Sequence, residues 1–151
     1  MPHARKQIRD AVVVLLADLQ TTGRNVYPSR IYSLDESELP SLSVFTIDEG
    51  SDEVVTKVTL KSPAKLHRVC PLVIEGHAMV DENIDDVLDQ MALEAEVAMS
   101  APLVIGSREL SAQLQSTSKT LLGDNEDQVG IVRLVYSIHY VTSENTPDIL
   151  E

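Results

Sequence analysis

Val132-Arg133-Leu134-Val135-Tyr136-Ser137-Ile138-His139-Tyr140 is the stretch on which the fold turns. Val132, Leu134, Tyr136, Ile138 and Tyr140 fall at every second position, and successive side chains of a strand point to opposite faces. Five apolar residues in strict alternation predict a half-buried β-strand. Just upstream, Gly123-Asp124-Asn125-Glu126-Asp127 reads as a turn, and Gln113 to Leu122 as a second extended run. The simplest pairing is an antiparallel hairpin. Farther upstream, Ile84, Leu88, Met91, Ala95 and Ala98 step by four and three. That is the spacing of one helix face, with Asp81 or Asn83 placed to cap its first turn.

The first half of the chain continues the pattern. Ile8, Val12, Leu15 and Leu19 recur at helical spacing, which predicts a helix from about Ala4 to Gln20 with Gly23 as its stop. Within it, Val12-Val13-Val14-Leu15-Leu16 is apolar all the way round, where a surface helix shows a polar stripe. Either the helix packs on two sides within its own domain, or Val13 or Leu16 meets another subunit. Extended pieces follow: Asn25–Leu34, broken at Pro28; Leu42–Ile47; then, after the turn residues 48–53, the alternating Val54–Leu60. Ser62-Pro63 interrupts, and an extended pattern resumes from Lys65 to Met79. The order is helix, strands, helix, hairpin, which predicts an α+β domain with two helices on a mostly antiparallel sheet. Residues 1–142 form that single domain, and residues 143–151, with Pro147, are expected to be a loose tail.

Composition limits what such a domain does. At 151 residues with 43% hydrophobic content, the chain can build a core without disulfides or metals. It has no Trp, one Phe and four Tyr, so it lacks the stacking platforms of single-strand nucleic-acid binders. Its net charge of −12 opposes a phosphate backbone. No apolar run reaches the ~18–20 residues of a membrane span, and the N-terminus continues into a charged helical pattern, unlike a signal peptide. Both features point to a chain made and kept in a cytosol.

The motifs of catalysis are missing. There is no G-x-x-x-x-G-K-[ST], no G-x-G-x-x-G, no G-x-S-x-G and no H-E-x-x-H. His67 with His77, or His77 with Cys70, could share a metal. Single histidines along strands, however, are ordinarily solvated or hydrogen-bonded. Cys70, among apolar residues, reads as an inert buried thiol. The sequence implies no enzyme, no cofactor and no metal.

Charge is unevenly placed. From Val69 to Ser107 there is no Lys or Arg, while Asp85, Asp86 and Asp89 crowd the second helix. From Val54 to Ile74 there is no acid, while Lys57, Lys61, Lys65 and Arg68 follow one another. This could be a solvated helix beside a Lys-guarded edge strand. It could also be two complementary surfaces of a head-to-tail contact between copies. Arg5, Lys6 and Arg9 add a second oddity, since cations are disfavoured at a helix N-terminus. The candidate subunit interface is therefore Arg5, Arg9, Val13, Lys57, Lys61, Lys65, Arg68, Asp85, Asp86 and Asp89.

The helix His3-Ala4-Arg5-Lys6-Gln7-Ile8-Arg9-Asp10-Ala11-Val12 is followed by Thr22-Gly23-Arg24-Asn25-Val26-Tyr27-Pro28-Ser29-Arg30. Glu38-Leu39-Pro40-Ser41-Leu42-Ser43-Val44-Phe45, Leu72-Val73-Ile74-Glu75-Gly76, Asp85-Asp86-Val87-Leu88-Asp89 and Val132–Tyr140 come after it. Taken together, nearly the whole chain resembles the tail terminator proteins of long-tailed, lambda-type phages. The resemblance implies a sheet flanked by helices and a homo-hexameric ring capping the tail tube. Such a ring stops tube polymerisation and presents the surface to which the head joins. Its partners would be itself, the tail tube protein and a neck or head-completion protein, with DNA passing through the lumen without specific binding and no membrane involved. Its place would be the virion tail or neck, after assembly in the host cytoplasm. A neighbouring neck, tail-completion or minor tail protein is the nearest alternative. A small-molecule binding domain or an unrecognised enzyme is the alternative of another class.

Overall fold

The alternating run lies within β8 (Val129–Ser143). Its even-numbered residues from Val132 to Tyr140 are buried, and the odd ones between them are half-buried or exposed. β8 pairs antiparallel with β4 (Lys65–Met79) along its whole length, from Lys65↔Ser143 to Met79↔Val129. The computed structural model describes residues 1–29, 38–50, 53–56 (backbone only), 61–79, 81–123 and 128–151.

On the other side of β4, two strands follow one another end to end. β2 (Ser41–Thr46) pairs with Leu72–His77, and β3 (Glu53–Thr56) pairs with Lys65–His67, both antiparallel. β1 (Val26–Tyr27) joins β2 in parallel, and β7 (Ala112–Leu122) joins β8 antiparallel. The sheet order is β1-β2-β4-β8-β7, with β3 beside β4. A separate small hairpin, β5 (Leu103–Ile105) and β6 (Arg108–Leu110), turns at Gly106, whose φ of +61° suits a residue without a side chain. The sequence reading contained no such hairpin, because three-residue strands carry too little alternation to register.

Both helices lie on one face of the sheet. α1 (Ala4–Leu16) buries Ala4, Ile8, Val12 and Leu16, and α2 (Ile84–Met99) buries Leu88, Met91, Ala95 and Met99. They close over Leu42 and Val44 of β2, the even positions Cys70–Ala78 of β4, and Val132–Tyr140 of β8. This is the α+β fold with two helices on a mostly antiparallel sheet that the sequence implies. Two glycines set the depth of α2. A Cβ at Gly76 would meet Met91 Cε at 2.8 Å and Val132 Cγ1 at 2.9 Å. One at Gly130 would meet Ile84 Cδ1 at 2.6 Å and Cγ1 at 2.7 Å.

The first helix is shorter than its periodicity suggests. Ala17 is extended and Asp18 takes a left-handed φ of +64°, so the helix stops at Leu16. The Asp18 N–H donates to the Gly23 carbonyl and the Gly23 N–H to the Leu19 carbonyl. Gly23 thus closes a tight turn after the helix and is not its stop. In the apolar run, Val12 and Leu16 are buried, Val13 and Leu15 pack partly against the core, and Val14 is exposed. Most of that run is satisfied inside its own chain.

Of the expected Asn25–Leu34 segment, Val26–Tyr27 is a strand and residues 30–34 lie outside the described residues. Of Val54–Leu60, the described part, residues 54–56, belongs to β3, and residues 57–60 lie outside the description. At α2 the Asn83 side chain makes no cap bond, whereas Asp81 Oδ1 accepts from the Asn83 N–H at 2.8 Å. Residues 144–151 fold back onto the domain. Pro147 accepts from the Ala4 N–H at 3.0 Å, the Glu151 N–H donates to Val141 at 3.0 Å, and Leu150 packs on the core.

Candidate assembly surface

β7 is the anomaly of the molecule. Ten of its eleven residues are exposed, so neither of its faces is covered. The reason is positional: α2 lies over β4 and β8 and stops short of the outermost strand. On the helix side β7 presents Ala112, Leu114, Thr117, Lys119 and Leu121, the residues that pair with Ile138, Tyr136, Leu134, Val132 and Gly130. Gln115 is the extra residue of a bulge between Leu114 and Ser116, and its side chain donates to Ser137 Oγ at 3.1 Å. Beyond the bulge, Ser116–Leu122 is a regular seven-residue run. Among the described residues this run pairs only with β8, which leaves its outer edge open. Such an edge is a template for another strand. Leu114, Leu121 and Leu122 are exposed on it, and Leu93 and Val97 are exposed one turn apart on α2.

The charges named from sequence fall in three places. Asp89 of α2 pairs with Lys119 of β7 across the uncovered sheet face, while Asp85 and Asp86 are exposed nearby in the first turn. Lys65 pairs with Glu151 of the tail at 3.1 Å, and Arg68 with Glu49 at 3.5 Å. Both cations sit on β4, which is flanked on both sides. Of the expected basic strand edge, Lys65 and Arg68 thus lie on an interior strand, while β3, which the Val54–Leu60 segment overlaps, pairs only with β4 among the described residues. Lys61 is exposed, and Lys57 lies outside the described residues.

The cations of α1 find an acid within their own chain. Glu49, in the loop after β2, has a side chain only 5% exposed. Arg5 Nε lies 3.6 Å from it and Arg68 Nε 3.5 Å, and the Tyr140 hydroxyl donates to it at 2.7 Å. The Arg68 guanidinium also stands 5.5 Å from the centroid of the Tyr140 ring. Burial, followed by the bond to Glu49, raises the Tyr140 phenol far above its ordinary range. Arg9 Nε is buried without a hydrogen-bond partner among the described residues, and Lys6 pairs with Asp10 one turn on. Val13 lies against the core. An open polar depression of about 580 Å3 is lined by Arg5, Thr46, Ile47, Asp48, Glu49, Gly50 and Arg68. Its opposed charges already neutralise one another, so the network pins the start of α1 to the loop after β2 and to β4 and β8.

Comparison with solved structures finds a likeness to a chain of the virion of a native gene transfer agent particle. It covers 91% of this chain and 90% of that one, at 19% identity and a TM-score of 0.48. No family model matches, and no curated protein matches.

The remaining reactive groups are quiet. Burial pushes the Cys70 thiol up to about 12, which keeps it protonated and inert. His77 does not meet Cys70 in one site. It lies on the opposite sheet face, where burial lowers its pKa and Glu75 at 3.7 Å works the other way. Nor does His67 pair with His77. Its partner is His139, and sequence spacing gave no sign of that pair, because the two residues are 72 positions apart.

Proposed function

We propose that this chain is a non-enzymatic structural subunit of a phage-type virion, and within that class a tail terminator. Six copies form a ring that caps the tail tube, stops its growth and offers the joining surface for the head. The observation that carries the reading is β7, an eleven-residue strand exposed on both faces whose outer edge is open among the described residues. A monomer that kept such a strand free would risk uncontrolled pairing.

The two ends of the sheet are chemically different, with the long open β7 at one and the two-residue parallel β1 at the other. Unlike edges favour heterologous, head-to-tail contacts, which close into rings when the rotation allows. The chain-long sequence resemblance to tail terminators supplies the number six and the partners. A net charge of −12 suits a channel through which DNA slides without adhering.

Light scattering on a size-exclusion column, with negative-stain imaging, tests this with the chain alone and with tail tube protein added. Rings that halt tube elongation are the expected result. Monomers under both conditions would overturn the reading. Rings that bind heads yet leave tubes growing would move the chain to the neighbouring neck position.

A further inference from the structure

We infer that His67 and His139 form a two-imidazole chelate for a divalent first-row transition-metal ion, on the sheet face away from the helices. The two residues sit on the paired strands β4 and β8, one step apart diagonally, since Val69 is the partner of His139 and His67 that of Val141. Odd positions of both strands face away from α1 and α2, so the pair is reachable from solvent; His139 is exposed and His67 half-buried. Their rings lie 22° from parallel with centroids 5.1 Å apart, and His139 Nδ1 is 3.1 Å from His67 Nε2.

That contact is an imidazole–imidazole hydrogen bond, and its length also equals the separation of two nitrogens bound to one ion. Two imidazole nitrogens bonded at about 2.0–2.1 Å to one ion, at angles between square and tetrahedral, stand about 2.9–3.3 Å apart. Paired strand backbones fix the separation of the two Cα positions. Imidazole suits zinc, cobalt, nickel and copper, whereas magnesium and calcium prefer oxygen. In register, β3 brings Glu53 opposite His67. Among the described residues no group of three or more His, Cys, Asp or Glu is arranged for a metal. Water would complete the coordination.

The probes are zinc ion by titration calorimetry and cobalt ion by its visible absorption, on the full chain. One zinc per chain is expected, together with a zinc-dependent rise in Tm. Chelation makes the second bond intramolecular, so His67→Ala and His139→Ala should each weaken binding by about tenfold or more. Circular dichroism confirms that both variants fold. Zinc bound equally well by the His67→Ala/His139→Ala double variant, or not bound at about 1 mM, would overturn the assignment.

Discussion

Glu49 is the residue on which most depends for its size. It carries a charge into a nearly dry place beneath α1, and it is tolerated there because Arg5, Arg68 and Tyr140 converge on it. Removing one partner of a buried pair leaves the other uncompensated, which typically costs about 3–5 kcal/mol. Glu49→Gln should therefore lower unfolding free energy by a few kcal/mol, as read from urea denaturation. Tyr140→Phe, which deletes one bond to the carboxylate, should cost about 1.5–3 kcal/mol. A Glu49→Gln variant as stable as the parent would mean that the network positions the chain without stabilising it. Gly130 makes a separate case. A methyl there would meet Ile84 Cγ1 at 2.7 Å, and such crowding costs about 1–3 kcal/mol. Gly130→Ala should destabilise by that amount, and the Ile84→Ala background should relieve much of it. Additive losses in the double variant would show that contact with Ile84 is not the cause.

Strands and helices show which parts of the molecule could be read in advance. β4, β8 and α2 were readable because each carries its period through many residues, and β4 begins and ends where its sequence pattern does. α1 was read correctly at Ile8 and Val12, but Leu16 and not Leu15 completes its buried face, and it ends before Leu19 because Asp18 adopts a left-handed backbone that periodicity does not register. The exposure of β7 was hidden for a different reason. Which strand lies beyond the reach of the helices is decided by topology, and its mixed polar sequence, Gln113-Leu114-Gln115-Ser116-Thr117-Ser118, fits a half-buried strand as well. The Glu49 network joins an N-terminal helix, a loop and two strands, with Glu49 and Tyr140 91 positions apart. Only the crowding of cations at the start of α1 hinted at it. A prediction belongs to β7 itself. Thr117→Asp with Leu121→Asp places two charges on a strand already in water, so monomer stability should stay within about 0.5 kcal/mol. Assembly should be lost if β7 is the contact, since a strand docking beside it would have to accommodate both. Rings that form unchanged in light scattering would exclude β7 from the interface.

For the molecule as a whole, acid is the lever that separates internal balance from assembly. Burial lowers His77, and burial followed by the nearby Arg5 and Arg68 lowers His3, whose Nδ1 also accepts the Arg5 N–H at the head of α1. A histidine lowered in the folded state binds its proton more readily when unfolded. Stability is therefore full above the ordinary value of 6.5 and falls as pH drops below it. A second loss follows in the carboxylate range. At Glu94 burial works upward, but hydrogen bonds from the Thr21 hydroxyl and N–H outweigh it; at Glu151 bonds from Lys65 and Ser143 lead. Both end below 4.5, so both stabilise above that pH and stop doing so as it falls. Against these losses, net charge shrinks toward zero as pH approaches 4.6, which relieves self-repulsion. The parent protein reports the sum of these effects, and a variant isolates one part. His77→Asn removes the titrating ring beside Glu75 while leaving the overall charge at pH 7 unchanged. Urea midpoints measured from pH 8 to 5 should fall less steeply in His77→Asn than in the parent, with the divergence opening below about pH 6.5. Parallel curves would place the acid sensitivity at His3, and there the same comparison with His3→Asn should flatten the profile.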